Sequence, residues 1–187
     1  MLIVSQPRCA STSLLYTLST ISATRAVNGI MRKQKAKGFE QIQRLHRICG
    51  LRTEQTLRNC LTSRRETFRL HLLPVKHHLD ILDKYKINMV VVLREPSETV
   101  KSYMKYCNNI SYYKVLGDMV VYNETWRHIA IGRDYIKLIE FSDLIGKQSE
   151  TISGIMAHMA IKGKVIPLKK MNAAKDKLTY HLKKTHK

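Results

Sequence analysis

The chain has 187 residues, of which 44% are hydrophobic, so it is long enough for one globular domain and too apolar to be disordered. Its 33 Lys and Arg against 14 Asp and Glu give a formal net charge of +19, which favours an anionic partner. No apolar run is long enough to span a membrane and no secretory leader is recognisable, so we expect a cytoplasmic protein without a membrane span. The four cysteines include no Cys-x-x-Cys pair, and we expect no metal site.

The first predicted element is a short buried strand over residues 2–6, which ends at Pro7. Apolar residues then recur at helical spacing over residues 14–21. We therefore expect a helix that begins at Ser11 or Thr12 and is capped by one of these two hydroxyls.

Residues 25–66 differ from the rest of the chain in charge. The segment has short helical patterns, no proline and few glycines, so we expect a basic helical insertion and not a linker. Six basic residues fall within sixteen positions, opposed by Glu40 alone. They are Arg32, Lys33, Lys35, Lys37, Arg44 and Arg47.

The remaining chain alternates between strand and helix patterns, followed by a lysine-rich tail at residues 162–187. We expect strands at 67–73, 87–93 and 135–141, and helices at 75–85, 97–107, about 117–132 and 147–160. Ser97 is the expected cap of the helix at 97–107. The unbroken β-branched run at 87–93 is typical of a central parallel strand. The pattern predicts a single α/β domain, 1–187, with a parallel central sheet flanked by helices.

Ligands of such sheets bind beyond the carboxyl ends of the strands, where the amino-terminal ends of helices meet. Two strand–turn–helix units carry cations and hydroxyls at that position. The first is Arg8-Cys9-Ala10-Ser11-Thr12-Ser13, and the second is "LREPSETVKS", with Arg94 at the strand end and Ser102 two helical turns later. A cation, hydroxyls and helix N–H groups together can bind a phosphate-like anion. Each unit alone could equally be a helix cap beside a solvated arginine.

These two units resemble the signatures of sulfotransferases that use 3′-phosphoadenosine 5′-phosphosulfate (PAPS). "QPRCASTSLL" is similar to the loop that holds the 5′-phosphosulfate in that family, with Arg8 at the basic position. "VVVLREPSETVKSY" is similar to the segment that holds the 3′-phosphate, with Arg94, Pro96 and Ser102 at the matching positions. The resemblance covers about residues 1–160 and implies a P-loop-like fold and a nucleotide cosubstrate.

Two further segments resemble the cytosolic branch of the family. "FRLHLLP" is similar to the strand whose histidine is the catalytic base, with Arg69 at the lysine position and His71 at the histidine position. "LIEFSDL" looks like the segment that follows the third conserved strand. The resemblance therefore implies that His71 accepts the proton of the acceptor hydroxyl. Without the resemblance, a histidine hydrogen-bonded to backbone is the simpler interpretation.

The resemblance implies roles for ten residues and no metal ion. Arg8, Arg69 and His71 are the expected catalytic residues. The expected cofactor-binding residues are Arg8, Cys9, Ala10, Ser11, Thr12, Ser13, Arg94 and Ser102. Arg8 stays charged and would stabilise the leaving 5′-phosphate.

The sequence also departs from the family pattern. Ala10 replaces the family glycine, Cys9 replaces a hydroxyl, and Lys162-Gly163-Lys164 is the nearest substitute for the family's carboxy-terminal Arg-Lys-Gly segment. An alternative is a catalytically inactive sulfotransferase-like scaffold that binds nucleic acid or another polyanion. A P-loop kinase is disfavoured because no G-x-x-x-x-G-K-[ST] segment occurs.

The basic insertion lies, in sequence, where the family lines its acceptor cleft. If its basic cluster faces that cleft, we expect an anionic glycan or an acidic peptide as acceptor. The alternative is that the cluster forms a solvated face.

Overall fold

The computed structural model describes residues 1–6, 8–28, 66–105 and 111–159. These residues form a five-stranded sheet in the order β2-β3-β1-β4-β5, and every pair of neighbours is parallel. The strands are β1 (Leu2–Ser5), β2 (Arg25–Asn28), β3 (Glu66–Leu70), β4 (Met89–Leu93) and β5 (Ile136–Glu140). The predicted α/β class with a parallel central sheet is confirmed.

Six helices lie within the described ranges. They are α1 (Ser11–Ser22), α2 (Lys76–Tyr85), α3 (Pro96–Met104), α4 (Tyr112–Ala130), α5 (Phe141–Gly146) and α6 (Gln148–His158). None of these helices is both long and apolar enough to cross a lipid bilayer.

The two faces of the sheet bury alternate residues of the same strands, as a period of two requires. On one face, Leu2 and Val4 of β1 pack in a core that includes Leu82 of α2 and Trp126 of α4. On the other face, Ile3 packs in a core with residues of α1, α5 and α6. Because β1 and β4 are covered on both faces, both strands are apolar without alternation.

At β1 the chain changes from one side of the sheet to the other. The strands β2 and β3 lie on one side of it, and β4 and β5 lie on the other. Since all five strands are parallel, the segments that follow β1, β3 and β4 leave the sheet at the same edge and beside one another. The segments that follow these three strands contain all the residues predicted from the sequence to form the site, apart from Arg69 within β3.

Several predicted details are wrong. The hydroxyls predicted to cap α1 and α3 do not cap them. The helix α1 begins after Ala10, whose side chain makes no cap hydrogen bond. The Glu95 carboxylate caps α3 by accepting from the Ser97 N–H. The basic segment begins as the edge strand β2 and not as a helix. The strand predicted at 67–73 ends at Leu70. Residues 29–65 and the tail at 162–187 lie outside the described residues.

Candidate nucleotide site

A cavity of about 440 Å³ opens where β1, β3 and β4 end. Its lining combines the two loops that the sequence singles out with one face of α3. The lining residues are Arg8, Ala10, Ser11, Thr12, Ser13, Arg69, His71, Arg94, Glu98, Lys101, Ser102, Lys105 and Phe141. The fold thus brings together all but one of the predicted site residues.

The β1–α1 loop has a backbone suited to an anion. Arg8 and Ala10 have φ angles of 69° and 52°, in the left-handed region. Left-handed residues before a helix turn successive N–H groups toward one side, and the first-turn N–H groups of α1 have no acceptor within the helix. The Ser11, Thr12 and Ser13 side chains also line the cavity. This loop can therefore bind a phosphate-like group through backbone and hydroxyl donors.

Cys9 is the predicted site residue that does not line the cavity. Its side chain is 1% exposed and packs in the core with Ile3 and Leu14. Burial raises the pKa of the thiol to about 12, although the nearby Arg94 charge opposes the shift. Cys9 is therefore a neutral core side chain, and a role for this residue in cofactor binding stays a prediction.

The two predicted binding segments contact each other directly. Arg8 Nε donates to Ser102 Oγ at 3.1 Å. Arg94 Nη1 donates to the Arg8 carbonyl oxygen at 2.9 Å, and the Arg94 carbonyl accepts from Asn123 Nδ2 at 2.9 Å. The β1–α1 loop and α3 are thus held together by a hydrogen-bonded chain that crosses from β1 to β4 and on to α4.

Arg94 is 9% exposed, and its guanidinium lies over the Phe141 ring, 4.4 Å from the ring centroid. Glu98 Oε2 lies 3.8 Å from Arg94 Nη2. Arg94 Nε is buried and has no hydrogen-bond partner among the described residues. A buried guanidinium with an unused donor is costly unless another acceptor reaches it, which favours an anionic ligand here.

Arg69 lies on β3, which β1 separates from β4 and the Arg94 that follows it. Its Nη1 donates to Ser11 Oγ at 3.1 Å, so it positions a hydroxyl at the start of α1. Burial lowers the pKa of its guanidinium. A guanidinium has so high an ordinary pKa that Arg69 still carries its charge at neutral pH.

His71 follows β3 and lines the same cavity. Its Nδ1 lies 2.7 Å from the Ser5 carbonyl oxygen. A carbonyl oxygen can only accept, so Nδ1 must carry the hydrogen and donate it. In the neutral ring the basic lone pair is therefore on Nε2, and the main chain of β1 fixes both the tautomer and the ring orientation.

Four lining residues were not predicted from the sequence: Glu98, Lys101, Lys105 and Phe141. Three of them follow from helical spacing, since positions 98, 101 and 105 share a face with Ser102. Among the described lining residues five are cationic and Glu98 is the one carboxylate. In the described part of the chain, no three His, Cys, Asp or Glu side chains are placed to hold a metal ion.

Solved structures of sulfotransferases share this architecture. The chain is similar to mouse sulfotransferase SULT7A1 complexed with PAP, with a TM-score of 0.63, 13% identity, and coverage of 97% of this chain and 64% of that one. It is similar to retinol dehydratase in complex with androsterone and inactive cofactor PAP, with a TM-score of 0.60, 12% identity, and coverage of 96% and 64%. A sulfotransferase domain from the curacin biosynthetic pathway gives a TM-score of 0.56 at 12% identity, covering 88% and 74%.

The chain has the sulfotransferase fold. It spans less than two thirds of the length of the first two of these enzymes. No family model and no curated protein matches the sequence. The resemblance stated from the two loops is thus confirmed at the level of the fold.

Proposed function

We propose that the protein is a PAPS-dependent sulfotransferase that transfers a sulfuryl group to a hydroxyl of an acceptor. The observation that carries the proposal is the direct contact of the two predicted binding segments, through Arg8, Ser102 and Arg94, at one cavity that His71 also lines. The structures of SULT7A1 and retinol dehydratase contain PAP, the product of such a reaction, which supports the same class of ligand here.

The lining residues fit this nucleotide. The left-handed loop, the Ser11–Ser13 hydroxyls and Arg8 would hold the 5′-phosphosulfate. Arg94 and Ser102 would hold the 3′-phosphate. The methyl group of Ala10 leaves less room for the phosphate in this loop than glycine would leave.

PAPS, when bound, supplies a sulfuryl group joined to a 5′-phosphate that serves as leaving group. The Arg8 guanidinium stabilises the negative charge left on that phosphate. Nε2 of His71 accepts the acceptor's hydroxyl proton while the acceptor oxygen forms its bond to sulfur and the sulfur–phosphate oxygen bond breaks. Arg69 holds the Ser11 hydroxyl in position. The remaining contribution to catalysis is the alignment of the attacking oxygen of the acceptor with the leaving oxygen of the phosphate.

The acceptor that fits the charge of the chain is an anionic glycan or an acidic peptide, because the basic cluster at 32–47 would attract it. The alternative, an inactive scaffold that binds nucleic acid or another polyanion, predicts nucleic-acid binding without nucleotide turnover. The expected cytoplasmic location stays a prediction.

The test is release of PAP from PAPS in the presence of a panel of hydroxyl acceptors, with and without EDTA. His71→Asn keeps an N–H that can donate to the Ser5 carbonyl but removes the basic nitrogen. We expect it to lower turnover about 10²–10⁴-fold and to leave the Kd for PAP unchanged. His77→Asn, on the exposed surface of α2, is the control and should have wild-type turnover. EDTA should change nothing. Full turnover in His71→Asn, or no turnover of wild type with any acceptor, would contradict the proposal.

A further inference from the structure

Glu98 has no role in the reaction described so far, yet it lies between cations of the cavity. Its Oε2 is 3.8 Å from Arg94 Nη2, and its Oε1 accepts from Lys101 Nζ at 3.0 Å. The hydrogen bond to Glu98 raises the pKa of Lys101. The carboxylate therefore interacts with two of the groups that an incoming phosphate would use.

The two partners differ in burial. The Lys101 side chain is 63% exposed, so its pair with Glu98 contributes little to stability. The Arg94 side chain is 10% exposed, and Glu98 is its one carboxylate partner among the described residues. A buried cation needs a counter-charge when the cavity holds no ligand. At the same time, the Glu98 side chain is 50% exposed, so it can turn away from Arg94 into solvent without a large desolvation cost.

We propose that Glu98 tunes affinity at the position of the 3′-phosphate: it is an internal anion that neutralises Arg94 in the empty site and competes with the 3′-phosphate for Arg94 and Lys101. This inference rests on the proposed function. The competition lowers affinity for every anion that approaches Arg94, so PAP binds less tightly than it would bind to the same lining without the Glu98 carboxylate. It also weakens retention of the bisphosphate product.

The proposal makes opposite predictions for the empty and the occupied protein. Removing the carboxylate leaves the buried Arg94 charge without its partner, so the Tm of the empty protein should fall. The same change removes a like charge beside the bound 3′-phosphate, so PAP should bind more tightly. If Glu98 only stabilised the site, removing its carboxylate would lower both the Tm and the affinity for PAP.

The test is calorimetric titration of wild type, Glu98→Gln and Glu150→Gln with PAP and with AMP, together with thermal melts with and without PAP. Glu150 is exposed on α6 and does not line the cavity, so it controls for the loss of one negative charge. We expect Glu98→Gln to lower the Kd for PAP about three- to tenfold and the Kd for AMP less, with a gain that shrinks as salt rises. Its Tm should be lower than that of wild type without PAP, and its PAP-induced increase in Tm should be larger. Glu98→Asp should lie between wild type and Glu98→Gln.

The outcomes separate the two proposals. If wild type prefers PAP to AMP but Glu98→Gln binds PAP no more tightly than wild type, the role of Glu98 is wrong and the proposed function stands. If Glu98→Gln and Glu150→Gln tighten PAP equally, the effect is one of net charge and the role of Glu98 is again wrong. If wild type shows no preference for PAP, both proposals are overturned.

Discussion

Ala10 occupies a left-handed conformation, φ 52° and ψ 14°, at the start of α1. The Ala10 carbonyl accepts from the Leu14 N–H at 3.0 Å, and this hydrogen bond holds the residue at the start of the helix. A Cβ in this region crowds the backbone, whereas glycine adopts it without penalty. The loop therefore carries conformational strain at the place where the resembled family has glycine.

Ala10→Gly should raise the free energy of unfolding by about 0.5–1 kcal/mol, the strain relieved less the extra entropy of glycine in the unfolded chain. Ala23, with φ 54° at the end of α1, is a matched control away from the cavity and should respond alike. Ala157→Gly within helix α6 should instead destabilise by a similar amount. Urea denaturation measures all three. An Ala10→Gly protein less stable than wild type, beside a stabilised Ala23→Gly, would contradict the strain at Ala10.

At the scale of elements, α2 is tied to the turn between α4 and β5 by a carboxylate. Asp83 accepts two hydrogen bonds from Arg133, at 2.8 and 3.1 Å, and one from the Tyr135 hydroxyl. The hydrogen bonds from Arg133, followed by that from Tyr135, lower the pKa of Asp83 from 3.8 to about 2. Burial, followed by the Asp83 carboxylate, raises the pKa of Tyr135 to about 12.

Because the folded-state pKa of Asp83 is lowered, its stabilisation is complete above the unfolded value of 3.8 and is lost as pH falls toward 2. The side chain is 43% exposed, so we expect Asp83→Asn to lower the free energy of unfolding at pH 7 by only about 1 kcal/mol. Denaturation at pH 7, 4 and 2.5 should show this difference shrink at the lowest pH. Asp80→Asn, which removes an exposed pair with Lys76, is the control and should have little effect. A difference that grows on acidification would contradict the assignment.

The elements that the sequence predicts are those stabilised by local pattern. The apolar runs of β1 and β4 are buried on both faces and are predictable from composition alone. The edge strand β2 was not predicted, because "RAVN" has no strand pattern of its own and forms by pairing with β3. The helix α4 begins five residues earlier than predicted, since its first turns are stabilised by packing of Val115 and Met119 against α3.

The residues of the site likewise divide into those that the local sequence predicts and those that depend on tertiary packing. Arg8, Arg94 and Ser102 follow from strand ends and spacing in the sequence. Helical spacing places Glu98 on the same face as Ser102, but that this face lines the cavity depends on the packing of α3 beside the β1–α1 loop. The inward turn of Cys9 likewise depends on the left-handed residues on either side of it, which are set by tertiary structure.

At the scale of the whole molecule, positive charge is concentrated in two segments. Ten Lys and Arg lie in residues 29–65 and nine in residues 160–187, against three Asp and Glu in the two segments together. The rest of the chain carries the two signs in similar numbers. The cationic cavity thus lies in a part of the chain where the numbers of positive and negative side chains are nearly equal. Any long-range attraction of a polyanion therefore comes mainly from the two segments.

Charge reversal at Lys33, Lys35 and Lys37 should raise the KM for an anionic acceptor and leave the Kd for PAP unchanged. The value of kcat/KM in wild type should fall as salt rises, because exposed charges are screened beyond about 8 Å at 0.15 M. Steady-state kinetics at low and moderate salt measure both. A preference for uncharged alcohols that is indifferent to salt would contradict an anionic acceptor.

The control is charge reversal of three other lysines, which keeps the change in net charge the same. They are Lys76, Lys84 and Lys86, all exposed and none lining the cavity. If this variant changes the acceptor KM as much as the first, total charge and not the cluster at 32–47 attracts the acceptor.

We infer that Arg8, Arg94 and Ser102 form one site for a 3′,5′-bisphosphorylated nucleotide, a claim that titration with PAP and with AMP measures without an acceptor. Wild type should bind PAP more tightly than AMP. Arg94→Ala should remove most of that preference, about 1.5–3 kcal/mol for a charge-assisted contact, and Ser102→Ala should remove part of it without touching the buried guanidinium. Equal affinity of wild type for the two nucleotides would contradict the claim.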